Sequence, residues 1–166
     1  FLVEGRYLSG YEEATPDSLA FITDAVTGPA LRIAPLYKEA INGDAVTIDI
    51  MAEDLSNVSG AEILLIFDAS VLAYQSIDKG EFFGRAQGQV LEITTLKTSN
   101  LLQIDIGAYN GTYPAASGSG VIATLHFNTL KVGQSALTLQ QDCSLRDKDN
   151  NVLTYNILVN GLVDVK

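Results

Sequence analysis

The sequence predicts an all-β sandwich, and three observations support this fold class. From about residue 31, short runs rich in Val, Ile, Leu and Thr are separated by Gly, Asn, Asp and Ser, as expected for many short strands joined by turns. Helical periodicity is nearly absent over the same region. The chain has 166 residues, of which 47 % are hydrophobic, so it is long enough for one domain with a full core.

Nine segments have the composition expected of strands. They cover residues 31–40, 45–53, 60–68, 72–78, 90–97, 101–108, 120–130, 135–141 and 152–165. Turn residues separate them: "INGD" at 41–44 contains the Asn-Gly pair favoured in tight hairpins, and "DKDNN" at 147–151 suits a polar turn that tolerates left-handed backbone. The stretch "ASGSG" at 116–120 predicts a loop.

The first 29 residues have a different pattern. In "TPDSLAFITDAVTG", Thr15 stands where a helix N-cap would, Pro16 at the first helical position and Gly28 where a helix would end. A short helix and an extended conformation both fit this stretch. Because its apolar residues need cover, we expect residues 1–29 to form an extension packed on a sandwich of residues 30–166 and not a second domain.

The charge of the chain argues against two classes of partner. Ten basic and 20 acidic residues give a net charge of −10, which repels nucleic acid and anionic membrane surfaces. No apolar run approaches the roughly 20 residues needed to span a bilayer, so we predict no membrane insertion. The start, "FLVEGRYLSG", lacks the features of a signal peptide, so in a secreted protein we expect the targeting segment to have been removed.

The residue types that most often carry catalysis are few. The single histidine, His126, lies in a predicted strand on the face opposite its apolar neighbours, and it is predicted to be an outward sheet residue. The single cysteine, Cys143, excludes an internal disulfide and is predicted to be buried or half-buried. Neighbouring carboxylates such as Glu53 and Asp54 are expected at a solvated surface. We therefore predict no catalytic residue and no enzyme.

The acidic turn "DKDNN" invites comparison with a calcium loop. Asp147, Asp149 and Asn151 alternate as oxygen ligands would, but Val152 stands where an EF-hand needs glycine and Leu158 where it needs glutamate. An EF-hand is rejected, an improvised calcium site remains an alternative, and a plain turn is favoured. No metal site is predicted.

The stretch "AEILLIFDASVL" at 61–72 places aliphatic residues on both faces of its predicted strand. One face carries Ala61, Ile63, Leu65 and Phe67. The other places Leu64 and Ile66 between Glu62 and Asp68. Since one apolar face is enough to cover a core, the second pair of aliphatic residues requires a separate explanation.

Three motifs together resemble the cohesin domain: "GDAVTI" at 43–48, "FDASVL" at 67–72 and "GVIATLHF" at 120–127. The resemblance covers about residues 31 to 166. It implies a nine-stranded jelly-roll β-sandwich, outside the cell or on its surface, that holds a dockerin module without catalysis. It also implies no cofactor in this chain, because the calcium belongs to the dockerin partner.

The resemblance further implies where the partner binds. Cohesins recognise dockerin on the flat outer face formed by their third, fifth, sixth and eighth strands. Matching these strands to the sequence gives Glu62, Leu64 and Ile66 from the third, Glu92, Thr94 and Leu96 from the fifth, and Gln103 and Asp105 from the sixth. Aliphatic residues ringed by carboxylates and amides are typical of a protein interface.

The sequence departs from the family pattern at two positions. Cohesins of cellulose-degrading complexes commonly have proline where Ala69 stands and a hydrogen-bonding side chain where Ala108 stands. The sequence is therefore more similar to cohesin-like domains outside such complexes.

Three alternatives stand beside a dockerin-binding face. The extension could cover the face with its own apolar residues, which are Leu19, Phe21, Ile22 and Val26. A carbohydrate-binding sandwich would use an aromatic platform, for which Tyr109 and Tyr113 are the candidates because the chain has no tryptophan. A purely structural domain of the cell surface or of a secretion apparatus would need neither site.

Overall fold

The computed structural model describes residues 26–86, 89–109 and 115–166, and for residues 85, 86, 89–94 and 109 it describes the backbone only. The predicted packing of residues 1–29 on the sandwich therefore falls almost entirely outside the described residues, as does the choice between a helix and an extended segment there. Within the described part, no helix is long and apolar enough to cross a membrane.

Thirteen strands and one short 3-10 turn succeed one another along the described chain. The strands are β1 (Ala30–Ala34), β2 (Tyr37–Ala40), β3 (Ala45–Val58), β4 (Gly60–Ile66), β5 (Leu72–Lys79), β6 (Gln89–Thr98), β7 (Leu101–Tyr109), β8 (Ala116–Thr129), β9 (Gly133–Leu139), β10 (Ser144–Arg146), β11 (Val152–Leu153), β12 (Ile157–Val159) and β13 (Gly161–Val165), with the 3-10 turn at Phe83–Ala86. Each of the nine predicted segments overlaps at least one of these strands. The predicted all-β class is confirmed.

The first predicted segment is divided because proline interrupts its ladder. Pro35 has no backbone N–H to donate, and it stands between β1 and β2. The two halves then join different sheets. β1 pairs with β3 and β12 in the first sheet, whereas β2 pairs with β13 in the second.

The two sheets share the strands unequally. The first sheet has the order β12-β1-β3-β8-β5, and the second has the order β11-β10-β4-β9-β13-β2, with β7 on the free side of β4 and β6 beyond β7. Along its other side, β4 pairs with β10 near Ala61 and with β9 near Ile66. Strand β4 is therefore an interior strand of the second sheet, with β7 along its whole length.

The core lies between the sheets and follows the alternation of the strands. Every second residue of the long strands is buried, including Val46, Ile48 and Ile50 of β3, Ile63 and Leu65 of β4, and Leu125 and Phe127 of β8. The rings of Phe67 and Phe127 meet edge to face with centroids 5.2 Å apart. Cys143 is buried, as predicted.

The predicted loop at 116–120 is wrong, because these residues begin β8 and pair with the far end of β3. The pairing there is bulged, and β3 takes positive φ angles of 50° at Asp54 and 60° at Asn57. The backbone amides of these two residues donate to the hydroxyls of Ser119 and Ser117, each at 2.9 Å. The small polar residues that suggested a loop thus complete a bulged ladder.

Candidate functional site

The outer side of β4 and β7 brings most of the predicted site residues together. The register pairs Glu62 with Asp105, Leu64 with Gln103, and Ile66 with Leu101. Residues directly opposite each other in a ladder share a face of the sheet. The intervening residues Ile63 and Leu65 are fully buried, so these six side chains lie on the side away from the core. We call these six residues the β4–β7 face.

One amide links the carboxylates of the β4–β7 face. The side-chain Nε2 of Gln103 donates to Oε1 of Glu62 at 3.0 Å and to Oδ2 of Asp105 at 3.0 Å. This bonding fixes all three side chains at one end of the face. The remaining lone pairs of the two carboxylates are available to donors from outside, which favours a partner that presents basic or hydroxyl groups.

The aliphatic part of the face is neither fully buried nor fully exposed. Leu64, Ile66 and Leu101 are partly exposed, and Leu64 also packs against the core from the outside. Such a surface is rigid because its backbone belongs to an interior strand. It can bury apolar area against a partner with little ordering of its own residues.

The register of β6 places its three predicted site residues in different rows from the β4–β7 face. Glu92, Thr94 and Leu96 lie opposite Ile106, Ile104 and Leu102, which are buried core residues. The row that carries Gln103 and Asp105 continues in β6 at Thr95 and Ile93. Glu92, Thr94 and Leu96 are therefore in register with the core rows and not with the β4–β7 face.

The physical reason for this difference in register is the two-residue period of a strand. A shift of one residue moves the whole set of alternate positions to the other face. In "VLEITTLKT" both alternate sets mix polar and apolar residues, so the composition does not select between them. Leu96 is nevertheless 49 % exposed, beside the register shift that separates it from Thr98.

A loop completes the hydrogen bonding at the centre of β4. Between the stretches paired with β10 and β9, the backbone O of Leu64 accepts from the N–H of Gln140 at 2.9 Å, and its N–H donates to Sγ of Cys143 at 3.2 Å. Burial raises the pKa of the Cys143 thiol, which keeps it protonated. The sequence contained no signal for this role, because the two residues are 79 positions apart.

A polar concavity adjoins the β4–β7 face at the end of β4. Strand β4 ends at Ile66, whereas β9 continues as far as Gly133 along β13. The chain after β4 is held on both sides, because Phe67 N–H donates to the carbonyl of Asn100 at 3.0 Å and Asp68 N–H to the hydroxyl of Ser135 at 2.9 Å. The space left open has a volume of about 650 Å³. We call it the notch.

His126 lies on the other side of the sandwich, as predicted. It is paired with Thr47 on the outer face of the first sheet. Its Nε2 is 2.9 Å from Oδ2 of Asp78, and its Nδ1 is 3.5 Å from Oγ1 of Thr47. This pair stands on the outside of the first sheet.

The turn at Asp147 uses its carboxylate internally. Oδ1 of Asp147 accepts from the backbone amides of Asp149 at 2.9 Å and Asn151 at 2.8 Å, and Oδ2 accepts from Nδ2 of Asn151 at 3.0 Å. These bonds from Asn151 lower the pKa of Asp147. Across the described ranges, no group of three or more His, Cys, Asp or Glu residues is placed to hold a metal ion. The suggested sugar platform of Tyr109 and Tyr113 lies outside the described side chains.

Cohesins of known structure have the same fold. A non-cellulosomal cohesin from the archaeon Archaeoglobus fulgidus superposes with a TM-score of 0.69 at 18 % identity, over 85 % of this chain and 92 % of that one. The sixth cohesin of scaffoldin B from Acetivibrio cellulolyticus, solved with a mutant Cel5 dockerin, gives 0.70 at 19 %, over 85 % of this chain and 100 % of that one. The Coh-OlpA–Doc918 complex of Clostridium thermocellum gives 0.68 at 15 %, over 85 % and 100 %.

At these identities the superpositions show the fold, and the family assignment rests on sequence. No curated protein matches the chain. A family model for the cohesin domain matches residues 38–165, from β2 to the last residue of β13. Since this match spans most of the sequence and both sheets, the chain belongs to the cohesin domain family.

Proposed function

We propose that this cohesin is a non-catalytic interaction module that binds a calcium-loaded dockerin through the β4–β7 face. The observation that carries the proposal is the position of Leu64 and Ile66, two partly exposed aliphatic residues on the outer side of an interior strand. Cohesins of the same fold have been solved with dockerins, including the Cel5 dockerin and Doc918.

The chemistry of the face fits such a partner. Leu64 and Ile66 supply apolar contact area, and Glu62 and Asp105 place negative charge beside it. A partner with basic and hydroxyl groups around an aliphatic patch would match both parts. Since the net charge of the chain is −10, association with a basic surface should be faster at low ionic strength.

The proposal also covers where the domain is located and which of the two proteins binds calcium. A type II cohesin of the same fold comes from the cellulosome of Acetivibrio cellulolyticus, and we place this domain likewise outside the cell or on its surface. The chain itself would need no cofactor. Calcium would be required by the dockerin, whose loops bind it in order to fold.

Co-precipitation with a panel of dockerins tests this function. The panel contains the Cel5 dockerin, Doc918 and every dockerin encoded in the genome from which the chain comes. We expect at least one dockerin to be retained in calcium and released by chelator, while the cohesin stays folded in both conditions. Retention of none in calcium, or retention that survives the chelator, would contradict the proposal.

A further inference from the structure

The notch beside the β4–β7 face has a chemistry of its own, and its assignment to part of a dockerin rests on the proposed function. Ile66 belongs to both the face and the notch, so a partner on the face would also cover the notch. The volume of about 650 Å³ is within the range of small-ligand sites, about 300–1,000 Å³.

The walls of the notch are mainly hydrogen-bonding groups around one charge. The polar side chains that line it are Asp68, Ser70, Ser99, Asn100, Gln134 and Thr138. Asp68 is the charged residue among those described there, and it is exposed. The lining therefore disfavours an anion, and its apolar part consists of Ile66, Phe67, Ala69 and Ala136.

One carboxylate oxygen of Asp68 accepts hydrogen bonds from Ser70, and the other accepts none from the described residues. Oδ1 accepts from the N–H of Ser70 at 2.8 Å and from its hydroxyl at 2.6 Å. These bonds lower the pKa of Asp68, so the carboxylate stays charged well below neutral pH. Within the described part of the chain, no hydrogen bond reaches Oδ2. The turn thus holds a carboxylate with one free oxygen at the notch.

We propose that the notch receives one arginine side chain of the bound dockerin, with its guanidinium on Oδ2 of Asp68. A guanidinium has five N–H donors in a planar fork, and the hydroxyl and amide oxygens of Ser99, Asn100 and Thr138 are acceptors for those that Asp68 does not take. Arginine also suits the site because it is more weakly hydrated than lysine.

Lys131 is the cation of this chain whose charge acts on Asp68, although it does not line the notch. Its field favours the carboxylate and opposes a second cation beside it. Removal of this charge should therefore strengthen arginine binding. That effect separates a binding role of Asp68 from a purely structural one.

Titration of the isotope-labelled full chain with N-acetyl-arginine amide, followed by amide chemical shifts, tests the inference. We expect saturable shifts confined to the notch, their loss in Asp68→Asn, and stronger binding in Lys131→Gln. The amide oxygen that Asp68→Asn introduces can still accept from Ser70, so the turn should persist. Asp142→Asn, which removes one exposed acid outside the notch, is the matched control and should bind like the parent. The neutral isostere N-acetyl-citrulline amide should give no shifts.

Two results would overturn the inference: shifts spread over the acidic surface, or shifts at the notch that survive in Asp68→Asn. The dockerin panel separates this failure from that of the proposed function. A dockerin captured without any response of the notch to the arginine probe contradicts the arginine site alone. A specific response to the probe with no dockerin captured contradicts the proposed function. The arginine that binds the notch would then come from a protein other than a dockerin.

Discussion

The backbone N–H of Leu64 donates to Sγ of Cys143 at 3.2 Å, which ties the centre of the β4–β7 face to the loop between β9 and β10. The same loop returns a second bond, from Gln140 N–H to the carbonyl of Leu64 at 2.9 Å. A short loop thus replaces the neighbouring strand at the one place where β9 and β10 leave β4 unpaired. These two bonds satisfy the backbone of Leu64 at the centre of the face.

Replacement of Cys143 should therefore destabilise the fold in a graded way. Cys143→Ala leaves the Leu64 N–H buried without an acceptor, and we expect the free energy of unfolding to fall by about 1–3 kcal/mol. Cys143→Ser keeps an acceptor at this position and should lose less. Urea denaturation of the three proteins measures the difference. An alanine variant as stable as the parent would show that the sulfur contact contributes nothing.

A backbone contact at Gly80 gives a second test of the packing. A Cβ at Gly80 would overlap the backbone carbonyl of Val121, which cannot move without disturbing β8. We expect Gly80→Ala to lower stability by about 1–3 kcal/mol, as other overpacked substitutions do. Gly84→Ala is the control, because a Cβ there has no neighbour within 4 Å. Equal melting temperatures for the two variants would refute the contact.

Asp164 should make the stability of the fold depend on pH in the acidic range. The ion pair with Lys166 and the hydrogen bond from the Tyr37 hydroxyl at 2.9 Å hold its pKa below the ordinary value. The contribution is present above the pKa of the unfolded chain, about 4, and is lost as the pH falls through the lower folded value. Melting temperatures from pH 6 to pH 2 should therefore fall less steeply for Asp164→Asn than for the parent. Parallel curves would contradict this.

Tyr37 should contribute stability that is lost as the pH rises in the alkaline range. Its hydrogen bond to Asp164 raises its pKa to about 12. The folded state therefore retains the phenolic proton, and the associated stability is present below the ordinary pKa of about 10 and is lost as the pH rises toward 12. The difference in ultraviolet absorbance between the parent and Tyr37→Phe should titrate near 12. A difference that titrates near the ordinary value of about 10 would contradict the contact.

The alternation of the sequence was enough to predict the sandwich and the outward positions of β4. In β4 the outer positions hold Glu62, Leu64 and Ile66 between buried neighbours, as the two-residue alternation along the strand predicted. In β6 both alternate sets are mixed, and only the pairing with β7 shows that Glu92, Thr94 and Leu96 are in register with core rows.

Contacts between distant parts of the chain could not be predicted from local pattern. "ASGSG" has the composition of a loop, and only its approach to Asp54 and Asn57 of β3 makes it a strand. The contact of Cys143 with Leu64 likewise depends on how two remote segments meet. The notch arises because β4 stops at Ile66, whereas β9 extends past that point as far as Gly133. This difference is a property of the assembled sheet.

Dockerin binding to the outer side of β4 is tested most directly by calorimetric titration of one substitution. Leu64→Arg places a charge at the centre of the β4–β7 face, and Thr47→Arg places the same charge on the outer face of the first sheet. For a dockerin retained in the panel, we predict that Leu64→Arg abolishes measurable binding while Thr47→Arg binds like the parent. Unchanged affinity of a folded Leu64→Arg variant would contradict binding at this face.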